Sequence, residues 1–320
     1  MSEDAASRGT QEAPARAAVG RVGFVGLGSV GEPMAANALR AGFETVVFDP
    51  RRGPVERLAE QGALVAASVS DLASRCQTVQ IMVATDAQLG SVVEGLQAGG
   101  LASGAHVLVH STVHPDTIRE VGTRLVTQGI HTLDAPVSGP DGAEAGARSQ
   151  DMTFMVGGSE QALARVRPLL EVSGRRIYHL GPELGAGQLA KLAANAMTMV
   201  SMESTRQALR FAERAGLDRE VALELWRHTS GNSWAVEHWV AMHELAARHP
   251  GGGSGLSALG YKDLSHFLDL AHRFGIPMTL AALASQLLDA HFGEAGGPAS
   301  GASRPPPVPP TAGPTLGSAS

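Results

Sequence analysis

The sequence VGFVGLGSVG, residues 22 to 31, decides the fold of this chain. Its first four residues are apolar and typical of a short buried strand, and the run 32–40 after it is typical of a helix closed by Gly42. Gly26 permits a tight turn, Gly28 lets a phosphate approach the backbone, and Gly31 lets the helix pack closely on the strand. A strand, a G-x-G-x-x-G turn and a helix in this order predict a dinucleotide-binding unit.

The next strand-like segment begins at Glu44 and ends at Asp49, where such units recognise the adenosine ribose. Asp49 predicts hydrogen bonds to the ribose hydroxyls and repulsion of a 2′-phosphate, which favours NAD. Arg51 and Arg52 follow directly and are able to hold a 2′-phosphate, so NADP stays open. A glycine turn without a ligand is the other interpretation, and the flanking strand and helix count against it.

Strand-like and helix-like segments keep alternating as far as Leu180. The further predicted strands are 78–84, 105–110, 131–135, 152–156 and 176–180, and the predicted helices are 86–96, 115–127 and 160–172. This alternation predicts an α/β fold with a doubly wound, largely parallel sheet. Ligands bind at the carboxyl ends of such strands, so the segments that follow the strands matter most.

Beyond residue 184 the sequence contains helices and turns without a convincing strand. We therefore predict a Rossmann-type domain over 21–183, followed by an all-helical domain over 184–295. Residues 1–20 and the Pro- and Gly-rich residues 296–320 predict disordered tails, because they have too little apolar surface to bury. Within the helical part, His249 to Gly255 predicts a flexible loop, and helices are predicted over 259–274 and 280–292.

A long helix is predicted over 185–207, because residues 189–202 are rich in Ala, Leu and Met and contain neither Gly nor Pro. Gln188, Lys191, Asn195 and Thr198 fall on one face of it. A solvated stripe normally carries several charges, whereas Lys191 is the only charge among these four residues. We interpret the helix as one that presents Lys191 and Asn195 to a mostly enclosed cleft.

Lys191 is the residue that suits proton transfer beside a nicotinamide. Hydride transfer requires the oxygen on the reacting carbon to lose a proton in oxidation or to gain one in reduction. To act as a base near neutrality, Lys191 needs its pKa lowered from about 10.4 toward about 7.5, which burial on an apolar helix is able to supply. As an acid it needs no shift, so reduction makes the smaller demand.

Composition excludes several classes of function. The formal net charge of −6 argues against nucleic acid as the main partner. A single cysteine, Cys76, excludes an internal disulfide, and no apolar run is long enough for a membrane span or a signal core. We therefore expect a cytoplasmic protein. The histidines show no zinc-site spacing, so no metal site is predicted.

Five motifs together resemble the β-hydroxyacid dehydrogenase family, which includes 3-hydroxyisobutyrate dehydrogenase and tartronate semialdehyde reductase. They are GLGSVGEPM (26–34), ST (111–112), DAPVSG (134–139), GAGQLAK (185–191) with Asn195, and KDL (262–264). The resemblance covers roughly residues 21–292 and implies an NAD(P)-dependent dehydrogenase or reductase of a small β-hydroxy acid. It also implies a homodimer or homotetramer formed through the helical domain.

By this resemblance Lys191 is the catalytic lysine, and Ser138, Gly139 and Asn195 bind the substrate. The residues implied to contact the cofactor are Gly26, Leu27, Gly28, Ser29, Val30, Gly31, Asp49, Val83, Ala84, Thr112 and Lys262. Ser138 and the Gly139 amide, at a strand end, suit a substrate carboxylate.

The sequence departs from the family pattern where substrate is selected. Pro140 stands where a second glycine is usual, and the loop from Asp141 to Gln150 is longer than the pattern. Ala84 stands where proline is usual. These differences predict a substrate other than the best-known acids of the family.

Two other functions remain as alternatives. An imine reductase has a similar fold but usually lacks the lysine, so Lys191 counts against it. A non-catalytic nucleotide-binding protein that offers residues 304–310 to a partner is disfavoured by the presence of Ser138, Lys191 and Asn195 together. The decarboxylating 6-phosphogluconate dehydrogenases are relatives with a much larger helical domain.

Overall fold

The computed structural model describes residues 17–249 and 251–293, and side chains up to residue 289. The predicted tails therefore lie mostly outside the described residues. Val19 is an exception, because it is buried and its carbonyl accepts a hydrogen bond from the Thr78 hydroxyl at 2.8 Å. Ordered packing thus begins before Arg21.

Nine strands and thirteen helices are present in the described residues. The strands are β1 Val22–Val25, β2 Thr45–Phe48, β3 Leu64–Val65, β4 Thr78–Ile81, β5 His106–Val109, β6 His131–Asp134, β7 Val137–Ser138, β8 Met152–Val156 and β9 Gly174–His179. The helices are α1 Gly31–Arg40, α2 Arg52–Ala59, α3 Val69–Arg75, α4 Asp86–Ala98, α5 Pro115–Val126, α6 Ala143–Ser149, α7 Glu160–Glu171, α8 Ala186–Arg214, α9 Arg219–Arg227, α10 Trp234–Glu237, α11 Trp239–Arg248, α12 Gly252–Arg273 and α13 Thr279–Gly293.

The main sheet has six parallel strands in the order β3-β2-β1-β4-β5-β6. Neighbouring residues of one strand belong to different hydrophobic clusters: Phe24 packs in one and Val25 in the other. Because side chains alternate across a strand, the two clusters cover opposite faces of the sheet. The predicted doubly wound α/β fold is confirmed.

Strands β8 and β9 were predicted as part of the main sheet, but they form a second sheet in the order β7-β8-β9. Strand β7 is antiparallel to β8, whereas β9 is parallel to it. A bridge between Asp134 and Gly157 connects the end of β6 to the end of β8. The two-residue strands β3 and β7 escaped prediction, because two residues are too few to display a period.

Two segments predicted as loops are helical. Residues 143–149, within the stretch after Pro140, form α6, which ends at Gln150 in a left-handed conformation with φ of 59°. The prediction of a flexible loop over 249–255 is wrong for residues 252–255, because α12 begins at Gly252. The Ser257 hydroxyl in its second turn donates to the Leu288 carbonyl at 3.2 Å, so packing overrides the poor helix propensity of these glycines.

The described chain divides into two compact units. The first contains residues 17–197 and 259–285, and the second contains 198–249, 251–258 and 286–293. The second unit is helical, and its core includes Met202, Leu209, Leu223 and Trp239. No helix in the described part of the chain combines the length and apolar character needed to span a bilayer.

Candidate active site

A buried carboxylate holds the first turn of α8, the helix that carries Lys191. Asp134, the last residue of β6, is fully buried. Its Oδ1 accepts the Gly185 amide and its Oδ2 accepts the Gln188 amide, each at 2.9 Å. Burial raises the pKa of Asp134, and the helix amides oppose that rise. Because the cap fixes the start of α8 at a strand end, it also fixes Lys191, which lies less than one turn beyond Gln188.

Gln188 attaches the same helix to the segment after β5. Its Oε1 accepts the Val113 amide at 3.0 Å, and its Nε2 donates to the Ser111 carbonyl at 3.0 Å. The side chain is completely buried. Gln188 was predicted to lie on the polar face of the helix, but these two hydrogen bonds were not predicted, because their partners lie 75 and 77 positions away in the sequence.

The amine of Lys191 has the properties expected of an acid-base group. Burial lowers its pKa to about 8, the nearby carboxylate of Asp263 opposes this shift, and the ammonium of Lys262 adds to it. Lys191 makes no hydrogen bond or ion pair with the described residues. A half-buried amine with a lowered pKa and no such partner is suited to bind and protonate a substrate oxygen.

Asp263 connects three of the predicted site residues. Its Oδ2 accepts Asn195 Nδ2 at 2.7 Å, and its Oδ1 lies 3.0 Å from Lys262 Nζ. Lys262 Nζ also donates to the Thr112 carbonyl. The Asp263 carboxylate thus brings Asn195 and Lys262 together, and Lys262 in turn contacts Thr112. Asp263 lies in the KDL motif of the sequence, but no role was predicted for it.

Further contacts join α12, on the same face as Lys262, to the segments that follow β4 and β5. His266 Nε2 lies 3.0 Å from Asp86 Oδ2, and Asp269 Oδ2 lies 3.1 Å from His114 Nε2. Arg273, one turn after Asp269, pairs with Asp116 at 2.5 Å. Because these positions follow Lys262 at helical spacing, they fix the rotation of α12 and with it the place of Lys262.

We expect the Asp263→Asn substitution to lower the pKa of Lys191 further, because the carboxylate favours the charged amine. Lys191 and Lys262 are the only lysines in the sequence, so an NMR titration of isotope-labelled lysine contains two side-chain signals. The Lys191 signal should titrate at lower pH in the variant. Glu94→Gln is the control, because it removes an exposed acid of α4 that makes no ion pair with the described residues. An unchanged Lys191 titration in Asp263→Asn would contradict this role.

The glycine turn fits a dinucleotide. Gly26 has φ of +92°, and a Cβ on it would lie 2.1 Å from the Met82 carbonyl oxygen. A Cβ on Gly31 would lie 2.1 Å from the Gly26 carbonyl oxygen, whereas a Cβ on Gly28 would meet no described atom within 4 Å. Two glycines are thus required by packing, and the third leaves open space. Val30, before α1, supplies no side-chain cap, which leaves helix amides for a phosphate.

Asp49 is placed as predicted at the end of β2, but its carboxylate is already occupied. Oδ2 accepts the Leu27 amide at 2.7 Å, and Arg51 donates to Oδ1 from Nε and to Oδ2 from its terminal nitrogen, at 2.9 and 3.0 Å. Burial alone would raise the pKa of Asp49, but these bonds outweigh it and hold the pKa below its usual value. The Asp49 side chain is 4% exposed and that of Arg51 is 53% exposed, so Arg51 covers the acid.

The remaining predicted residues lie at strand ends. The Val83 amide donates to the Ser111 hydroxyl at 2.7 Å, and the Ala84 amide donates to Gln88 Oε1 at 2.8 Å. Ser138 lies in β7, and a Cβ on Gly139 would lie 2.5 Å from the Gly142 carbonyl oxygen. Within the described residues, no hydrogen bond joins Ser138 or Gly139 to Lys191 or Asn195.

Two family models match consecutive parts of the chain. Residues 21–181 match the family model of the NAD binding domain of 6-phosphogluconate dehydrogenase. Residues 185–304 match the model described as NAD-binding of NADP-dependent 3-hydroxyisobutyrate dehydrogenase.

Individual relatives agree with these matches. The chain is 38% identical over 280 residues to 3-hydroxyisobutyrate dehydrogenase of Pseudomonas aeruginosa, covering 84% of this chain and 91% of that protein. It is 36% identical over 274 residues to the NAD-dependent L-serine dehydrogenase of the same organism, covering 83% and 90%. The crystal structure of 3-hydroxyisobutyrate dehydrogenase from Salmonella typhimurium has a TM-score of 0.76 at 30% identity, covering 85% of this chain and 93% of that one.

Imine reductases share the fold at greater distance: the Streptomyces aurantiacus enzyme has a TM-score of 0.61 at 21% identity, covering 86% of this chain and 98% of that one. The glycine turn, the lysine-bearing helix and both family models lead to the same assignment. This chain belongs to the β-hydroxyacid dehydrogenase family.

Proposed function

We propose that the chain interconverts a small β-hydroxy acid and the corresponding semialdehyde or keto acid, with Lys191 as the acid-base group. When bound, NAD(P) accepts or supplies the hydride at the reacting carbon. In oxidation, neutral Lys191 takes the hydroxyl proton as the carbonyl forms. In reduction, charged Lys191 returns that proton to the carbonyl oxygen. The observation that carries the proposal is the half-buried Lys191 amine, whose pKa is lowered to about 8 and which has no hydrogen-bond or ion-pair partner among the described residues.

The substrate carboxylate falls to other residues in this proposal. Asn195 uses one amide proton for Asp263, which leaves its second N–H and its Oδ1 for the substrate. The Ser138 hydroxyl and the Gly139 amide are the further donors we assign to the carboxylate. We assign cofactor binding to residues 21–183 and the catalytic lysine to residues 184–295.

The cofactor choice within this proposal rests on Arg51. An Asp49 carboxylate that is free would favour ribose hydroxyls and repel a 2′-phosphate. Here the Arg51 guanidinium neutralises that carboxylate and is itself half exposed. We infer that Arg51 meets the 2′ position, so that NADP is bound as well as NAD.

The test of the function is a spectrophotometric screen with NAD⁺ and NADP⁺ separately. The substrates are L-serine, 3-hydroxyisobutyrate and L-threonate, which are named for relatives of this chain, together with other short β-hydroxy acids. We expect turnover of at least one β-hydroxy acid. Reduction of cyclic imines without turnover of any hydroxy acid or semialdehyde would contradict the proposal.

We further propose a cytoplasmic homo-oligomer. The cytoplasmic location rests on the single cysteine, which is buried and unpaired. The helical unit exposes large apolar side chains, including Phe211 at 77%, Val221, Leu225 and Val240, and surfaces of this kind commonly pair with a second copy. Sedimentation at micromolar concentration should give a dimer or tetramer mass, and a monomer mass would contradict this assembly.

A further inference from the structure

A cavity of about 390 Å³ lies at the amino-terminal ends of β5 and β6. Its lining includes Gly104, His106, His131, Ser159, Gln161 and Arg165. Asp49, Val83 and Thr112, which we assign to the cofactor, follow the carboxyl ends of β2, β4 and β5. The cavity lies at the opposite, amino-terminal ends of the strands. The proposed reaction uses none of these side chains.

Two imidazoles form one wall of the cavity. His106 and His131 are the first residues of their strands and register partners, with ring centroids 5.0 Å apart and planes inclined by 29°. Burial, then the nearby His131 and Arg165, lower the pKa of His106 to about 4. His106 is therefore uncharged at neutral pH unless a negative charge lies beside it.

Arg165 and the start of α7 form the facing wall. Arg165 is exposed and has no ion-pair partner within the described residues. Ser159 caps α7, a helix of 12 residues, and Gln161 and Arg165 lie one turn apart on the side that faces the cavity. No carboxylate lines the cavity or the adjoining groove, which shares Gly104, His106 and Arg165 with it. Glu160, the acid nearest in sequence, is not among the lining residues.

We propose that this cavity binds a small multivalent oxyanion of the phosphate class. A guanidinium and two imidazoles that are able to become donors are groups that recognise phosphoryl oxygens. No carboxylate is among the lining residues of the cavity or the adjoining groove, and an anion supplies a counter-charge for Arg165. Its volume admits an ion larger than chloride or a single water.

Binding of such an anion is coupled to protonation. An anion beside His106 favours the charged form of its imidazole, so a proton is taken up when the anion binds. The other groups facing the pair are Arg165 from α7 and the neutral Gln161. The segment 17–20 and Gln77, which line the adjoining groove, contain no ionisable side chain. The affinity for the anion should therefore fall as pH rises through the pKa that His106 has in the complex.

The test is calorimetric titration of the NADH-saturated protein with inorganic pyrophosphate at pH 6.5, since NADH blocks the competing phosphate site in the glycine turn. We expect one saturable site, and proton uptake seen as a difference in heat between buffers of different ionisation enthalpy. Arg165→Gln and His106→Asn should each weaken binding at least tenfold. The matched control is Arg167→Gln, on the same helix but paired with Glu171.

All variants should bind NADH as the parent does, which shows that they are folded. The absence of saturable binding to the NADH-saturated parent would overturn the proposal. Equal loss of binding in Arg165→Gln and Arg167→Gln would also overturn it, because the effect would then be one of general charge.

Discussion

Replacement of Lys191 by alanine is expected to lower kcat by about a thousandfold, with KM for the cofactor changed little. The reason is that the variant has no group to exchange a proton with the substrate oxygen. Asp263 and Lys262 lie nearby, but the carboxylate is held by Asn195 and Lys262 is held by the Thr112 carbonyl. Neither is therefore free to replace the amine. The measurement is steady-state kinetics in both directions, with cofactor affinity determined separately by fluorescence.

Lys191→Arg separates charge from proton transfer. A guanidinium keeps the positive charge but does not lose a proton in the accessible pH range. We therefore expect it to be nearly as inactive as Lys191→Ala in oxidation. A rate within tenfold of the parent in Lys191→Arg would mean that the lysine serves only as a fixed charge, and the assignment of the proton to Lys191 would be wrong.

The restriction of lysine to two positions supports this distinction. The sequence has 25 lysine and arginine residues together, yet Lys191 and Lys262 are the only lysines. Arginine serves for the surface ion pairs, such as those of Arg57 with Glu32 and Arg176 with Asp151. An amine, unlike a guanidinium, has a pKa that burial brings near neutrality.

The parts of the fold that sequence predicted are those with long, strongly patterned elements. The glycine turn, the alternation of strands and helices, and α8 were all predicted from local periodicity and composition. Helix α6 was not predicted, because its seven residues are too few to display a clear period. Residues 252–258 of α12 were not predicted as helix either, because their glycines disfavour a helix, which the contact of Ser257 with Leu288 helps to stabilise.

Sequence singled out the residues to which we assign ligand contact, and not those that position them. Lys191 and Asn195 stood out on an apolar helix. The roles of Asp134, Gln188 and Asp263 depend on partners that lie far along the chain: 51 positions separate Asp134 from Gly185, and 68 separate Asn195 from Asp263. No local sequence pattern connects such pairs. The motifs and their order could therefore be recognised in the sequence, but the hydrogen bonds between them could not.

The structure changes the expected choice between NAD and NADP. An acid at the end of β2 predicts a preference for NAD, and the structure has that acid bound on both oxygens. The Leu27 amide uses Asp49 to hold the glycine turn, and Arg51 donates to it twice. Ribose hydroxyls would have to displace Arg51 to reach the carboxylate. A 2′-phosphate would instead meet the exposed guanidinium.

Arg51→Ser is therefore expected to weaken NADP⁺ binding by about ten- to a hundredfold, the range for loss of a charge-assisted contact. NAD⁺ binding should stay the same or improve, because the uncovered Asp49 is able to accept the ribose hydroxyls. The measurement is the dissociation constant of each cofactor by calorimetry, without substrate, so the result does not depend on catalysis.

Arg52→Ser is the matched control, since Arg52 is adjacent, exposed and does not bond to Asp49. It should leave the ratio of the two dissociation constants within about threefold of the parent, because an exposed charge that does not bond to Asp49 contributes little. If Arg51→Ser weakened both cofactors equally, Arg51 would act only by supporting the glycine turn through Asp49. Selectivity would then have to come from other residues around the ribose, and the inference from the neutralised carboxylate would fail.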